Sequence, residues 1–115
     1  MEIPNWYWVN GLHDAKVTNL SFENFDYDYT KRNPIRNCIT IQLDTRNAMF
    51  DTSIKAIKLL NSKIVQGDMD FVDWFWKDDI LTTSHKGFEL QITLISNRHI
   101  KICKISFENV IVEKK

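Results

Sequence analysis

Glycine and proline are scarce in this chain, three and two residues in 115, and that scarcity excludes several chemistries at once. Phosphate-cradling loops, serine nucleophile elbows and dinucleotide fingerprints need glycines at close spacing, whereas Gly11, Gly67 and Gly87 stand far apart. Turns must come mostly from Asn, Asp and Ser, whose side chains bond nearby backbone amides. Cysteine is equally sparse: Cys38 and Cys103 are 65 positions apart and form no C-x-x-C pair. That usage suits a reducing compartment, so a cytoplasmic protein with reduced thiols is expected. No apolar run approaches the roughly 20 residues of a membrane span. The segment Met1-Glu2-Ile3-Pro4-Asn5 has neither the basic nor the apolar region of a signal peptide, so no export and no membrane partner are expected. An excess of one charge is also missing. Fifteen bases balance fifteen acids, and without a long-range field no nucleic-acid partner is expected.

What the chain does have is apolar alternation. At 43% apolar and 26% charged it is an ordinary globular composition, long enough to bury a core without disulfides or metal. No linker or low-complexity tract divides it, so residues 1–115 read as a single domain. All four tryptophans lie in two triplets, Trp6-Tyr7-Trp8 and Trp74-Phe75-Trp76. The i, i+2 spacing puts both indoles of a triplet on one face of an extended strand, whereas a helix would splay them about 200° apart.

The clearest element is a hairpin over 88–107. Phe88, Leu90, Ile92 and Leu94 alternate with polar residues, and a second run follows Asn97-Arg98. Pairing residues whose numbers sum to 195 sets Phe88 against Phe107, Leu90 against Ile105 and Ile92 against Cys103 on one face. Ile95 then meets Ile100, and Thr93 meets Ile102, on the other face. The turn centres on Asn97-Arg98, and since Arg resists positive φ a looser loop is expected there. A second pairing joins Ala15–Tyr27 to the alternating Ile39, Ile41 and Leu43, with a bulge near Glu23-Asn24 and an exposed polar loop between, carrying Lys31, Arg32 and Arg36. The segment 53–64 is ambiguous. Ser53 can cap a short helix with Ile54, Ile57, Leu60 and Ile64 on its face, or two short strands can flank a turn at Asn61-Ser62; strands are favoured. Further strands are expected at Trp74–Leu81 and Val110–Glu113. The fold expected is all-β, an antiparallel sandwich or strongly curved sheet of about six to eight strands.

Chemistry-bearing constellations are few. His13-Asp14 offers an imidazole beside a carboxylate, but neighbours on extended chain point apart and no third triad group is visible. His13, His85, His99 and the two cysteines are each isolated from one another, so no metal site is expected. The stretch Asp68-Met69-Asp70-Phe71-Val72-Asp73 lacks the glycine placement and closing Glu of a calcium loop. It does, however, sit in a window with five acids and one base from Gln66 to Asp79, which contains Trp74 and Trp76. Large rings on a strand usually fill a core, and this is the favoured placement for both. An exposed pair would instead form a stacking platform for a sugar or similar ring.

The entry Asn10-Gly11-Leu12-His13-Asp14-Ala15-Lys16-Val17, and the closing Ile105-Ser106-Phe107-Glu108-Asn109-Val110, resemble small uncharacterised bacterial all-β proteins grouped with the immunity proteins of toxin systems. The resemblance implies a non-enzymatic protein-binding domain whose partner is a toxin domain, often a basic one. It supplies no catalytic residue, metal or cofactor. Asp68, Asp70, Asp73, Trp74 and Trp76 are then the candidate partner-binding residues. A small ligand- or carbohydrate-binding module and a hydrolase using His13 and Asp14 are the alternatives.

Overall fold

The computed structural model describes residues 12–24, 27–28, 33–34, 37–48 and 53–115. The strands among them are β1 (Lys16–Asn24), β2 (Tyr27–Asp28), β3 (Asn33–Pro34), β4 (Asn37–Asp44), β5 (Ile54–Leu60), β6 (Lys63–Gln66), β7 (Phe75–Ser84), β8 (Gly87–Ser96), β9 (His99–Phe107) and β10 (Asn109–Lys114). No helix occurs among the described residues. β2 and β3 pair with each other, and the other eight form one antiparallel sheet, in the order β10-β5-β4-β1-β7-β8-β9-β6, that is not closed. The all-β reading holds, in its curved-sheet form. The first aromatic triplet, Asn10 and Gly11 of the resemblance, and the three bases of the polar loop lie outside the described residues.

The sheet divides into two four-stranded halves, β10-β5-β4-β1 and β7-β8-β9-β6, with a narrow junction between them. Strand pairing there is limited to Lys16 opposite Phe75. Backbone bonds extend it: Trp76 N–H donates to the Ala15 carbonyl (2.7 Å), Val17 N–H to the Trp74 carbonyl (2.9 Å) and Asp14 N–H to the Trp76 carbonyl (2.8 Å). Both halves contribute to one hydrophobic core. Val17, Ile39, Ile41, Ile57 and Leu59 from the first meet Trp76, Leu90, Ile92, Ile105 and Phe107 from the second. Burying alternate apolar residues from both halves in a single cluster is what makes the fold independent of disulfides.

The 88–107 hairpin pairs in the register expected, from Phe88 opposite Phe107 through Ile92 opposite Cys103 to Ser96 opposite His99. The two phenylalanine rings stack with centroids 5.6 Å apart. The turn, however, is tight: Asn97 and Arg98 both take positive φ, 50° and 85°. The right-handed strand twist favours such a primed turn strongly enough to impose it on an arginine.

β1 and β4 also pair, but the bulge lies elsewhere. Glu23 and Asn24 run in register with Cys38 and Asn37, and the shift falls between Val17 and Asn19. Val17 and Leu20 must both face the core from positions three apart, and the extra residue, Thr18, is exposed. Residues 54–60 and 63–66 are strands, so the helical alternative for 53–64 fails. They are not a hairpin either, since β5 lies in one half and β6 in the other. The chain turns this corner at Asn61 (φ 53°), and β9 passes into β10 beside it at Glu108. Leu60 pairs with Asn109 and Lys63 with Ser106, both summing to 169, so a single register runs around the corner.

Candidate functional site

The acidic stretch is a loop clamped onto the end of the core. Its entry, Gly67, has φ +86°, and a Cβ there would sit 2.6 Å from the Ile102 carbonyl oxygen, so the close approach needs glycine. Phe71 is wholly buried in the core cluster and plugs the loop into it. Asp73 N–H donates to the Val17 carbonyl (2.7 Å), and Trp74 N–H to the Phe71 carbonyl (3.2 Å). Asp68 Oδ1 accepts from Asp70 N–H at 3.0 Å. Lys101 Nζ, on β9, donates to the same carboxylate (3.3 Å) and to the Asp70 carbonyl, and stands 5.0 Å from the centre of the Trp74 ring. Bonding to the Asp70 amide, then to Lys101, holds the Asp68 carboxyl below the usual carboxylate range. Asp73 lies 3.7 Å from Lys16.

Of the five residues singled out from sequence, Asp68, Asp70 and Asp73 are exposed on this loop and Trp74 is half-buried against the core. Trp76 is different. It is 0% exposed, and its indole Nε1–H donates to Asp79 Oδ2 at 2.7 Å. No partner can touch that ring, so Trp74 and Trp76 form no exposed stacking platform, and the core placement favoured for large strand rings applies. A hollow of about 280 Å³ lined by Ser84, Phe88, Ser106 and Glu108, and one of about 340 Å³ lined by Thr18, Gln42, Lys55 and Glu113, contain no tryptophan.

Next to the loop lies a surface the acidic motif did not announce. On the sheet face turned away from the core, Phe75, Ile95 and Ile100 form a row across β7, β8 and β9. The adjoining row is Asp78, Thr93 and Ile102, and the next begins with Ile80. Phe75, Ile80, Ile100 and Ile102 are exposed, Ile100 by 58%. The signal for this face was present in the sequence. The register summing to 195 already puts Ile95, Ile100 and Ile102 on the side that Phe88, Leu90 and Ile92 do not use. Phe71 and Lys101, which hold the loop, had no such signal, because their partners come from distant segments.

The remaining candidates stay apart. His13 Nδ1 lies 3.1 Å from Asp14 Oδ2, both side chains about half exposed, with no aligned hydrogen bond to that nitrogen. The positive φ of Asp14, 73°, is the unusual turn that lets the two neighbours meet. His85 is exposed in a turn and His99 is exposed at the start of β9, and among the described residues no three His, Cys, Asp or Glu side chains gather at metal-binding distance. Cys38 and Cys103 are both free thiols. Comparisons with protein-family models, with curated proteins and with solved structures find no match to this chain.

Proposed function

We propose that this chain is a non-enzymatic protein-binding domain, working in the bacterial cytoplasm, whose partner is a basic protein of the toxin class that the immunity-type resemblance implies. The observation that carries this reading is the apolar row Phe75, Ile95 and Ile100, exposed at Phe75 and Ile100 and half-buried at Ile95, with exposed Ile102 beside it. Contiguous apolar surface on a sheet face, here at the strand ends beside the 97–98 turn, marks an interaction site. Carboxylates choose the partner's charge: Asp78 stands within the face, and Asp68, Asp70 and Asp73 present theirs from the adjoining loop. The loop is preorganised by Phe71 and Lys101, which lowers the ordering cost of binding. The half-exposed His13–Asp14 pair supplies no enclosed reaction centre.

The test purifies the proteins encoded by the genes flanking this one, a toxin domain being expected among them, and follows binding by surface plasmon resonance at two salt concentrations. Ile100→Lys should raise the dissociation rate, because apolar anchors dominate interface energy. Asp68, Asp70 and Asp73 changed together to Asn should slow association and flatten its salt dependence. Absence of binding by the unaltered protein, or unchanged rates for both variants, would overturn the reading.

A further inference from the structure

The two edges of the sheet are built differently. β6 is four residues long, its pairing shifts between Ile64 and Gln66, and it runs straight into the positive-φ Gly67. Short length and irregularity are the usual devices that keep an edge from pairing with another chain. β10 is longer and straighter. It is six residues long, its register with β5 is unbroken from Asn109 to Glu113 and shifts only at Lys114, where the extra residue, Lys55, belongs to β5, and its centre is the β-branched run Val110-Ile111-Val112. Among the described residues β5 is its sole strand partner. Ile111, which faces away from the core, is 47% exposed.

We propose that β10 pairs antiparallel with β10 of a second copy, joining two sheets across a two-fold axis through Ile111. The register follows from the sequence. Keeping both cores on the same side of a continuous sheet requires paired residues of the same parity, hence an even sum of residue numbers. A sum of 222 sets Ile111 against its own mate, Val110 against Val112, Asn109 against Glu113 and Glu108 against Lys114 of the other copy. A sum of 220 would oppose Glu108 to Val112, and 224 would oppose Ile111 to Glu113 and Val110 to Lys114. Among these three registers, 222 alone matches apolar with apolar and acid with base, and such cross-strand pairs are what stabilise a sheet. The surface is distinct from the β7–β8–β9 face, so dimerisation and partner binding stand or fall separately.

Sedimentation equilibrium of the full chain across micromolar to millimolar concentrations is the first measurement, with a monomer–dimer equilibrium expected. Lys114→Glu should weaken the dimer about tenfold, since it creates two symmetry-related like-charge pairs, and adding Glu108→Lys should restore it. Should Glu108→Lys disturb the corner at Asn61, a second variant reports independently. Ile111→Cys places two thiols directly opposite, within the roughly 4.5–5.5 Å Cα spacing of antiparallel pairs that a disulfide spans. It should cross-link under mild oxidant, and Val65→Cys on the β6 edge should not. A chain that stays monomeric throughout, or a dimer indifferent to Lys114→Glu that fails to cross-link through position 111, overturns the proposal.

Discussion

Trp76 brings the two halves of the sheet together through its backbone and fills the core with its ring. Truncation to Ala should cost about 3–5 kcal/mol, the range for large buried aromatics. Trp76→Phe should cost less, yet still measurably, because Asp79 loses the indole donor it accepts from at 2.7 Å. Urea denaturation of both variants measures the difference. Exposure of the thiols is a second matter at this scale. The alternation of β4 puts Cys38 on the face opposite Ile39 and Ile41, which suggests a thiol more reactive than Cys103. In the structure Cys38 is only 3% exposed. Parity identifies the face a residue occupies, not whether long neighbours such as Glu23, Lys58 and Leu60 on the paired strands cover it. Burial also pushes the Cys103 thiol up to about 11. A thiol reagent at neutral pH should therefore label neither cysteine in the native protein and both after unfolding. Selective native labelling of Cys38 would contradict the burial seen here.

At the scale of elements, the Asn97-Arg98 turn is the place where sequence and backbone disagree. An arginine at φ 85° carries a steric cost that glycine does not, on the order of 1 kcal/mol. Arg98→Gly should accordingly raise the unfolding free energy by about 0.5–1 kcal/mol, read from the urea midpoint at unchanged slope. The corner after β4 has its own signature. Arg46 grips the Asp44 carboxylate with Nε at 3.0 Å and Nη2 at 2.7 Å, lowering that group from 3.8 to about 2. A carboxyl depressed on folding stabilises above its unfolded value and loses that contribution as pH falls through the folded one. Asp44→Asn should thus flatten the acid-denaturation curve between about pH 4 and 2, modestly, since Arg46 is well exposed and salt screens the pair. Legibility also divides at this scale. The 88–107 hairpin is legible because inward Phe88, Leu90 and Ile92 each have an apolar partner across one turn, within twenty positions. The position of the β1 bulge is not legible, because the visible break in alternation, between Phe22 and Phe25, points to Glu23-Asn24 and not to the shift between Val17 and Asn19. Only β4 as a template reveals that Val17 and Leu20 are the pair to be reconciled. For 53–64, local periodicity accommodates helix as well as the favoured strands, and long-range pairing with 104–114 makes the choice.

For the whole molecule, the open question posed by the topology is whether two half-sheets joined at so narrow a junction behave as one folding unit. No sequence pattern addresses this, because the β1–β7 contact rests on backbone bonds among Ala15, Val17, Trp74 and Trp76 rather than on any side-chain motif. The same is true of the functional loop. Its acids were visible in the sequence, while the plug and clamp that position it, Phe71 and Lys101, depend on which distant segments the sheet brings together. Two features argue for a single unit. The core cluster takes buried side chains from both halves without interruption, and the 56–64 and 105–113 segments cross from one half to the other in one register. Neither half could lose its partner without exposing the apolar face of the other, so partial unfolding would forfeit most of the hydrophobic stabilisation. Ile41→Ala in the first half and Ile92→Ala in the second should therefore each lower stability by about 2–5 kcal/mol. In both variants, tryptophan fluorescence and far-ultraviolet circular dichroism should give superimposable urea transitions. Suppose instead that Ile41→Ala separated the two probes, with the fluorescence, measured with Trp6 and Trp8 replaced by Phe so that Trp74 and Trp76 report alone, melting after part of the strand signal had gone. The β7–β8–β9–β6 half would then be an autonomous unit, and the continuous register around the corner would be a contact between two domains rather than the spine of one.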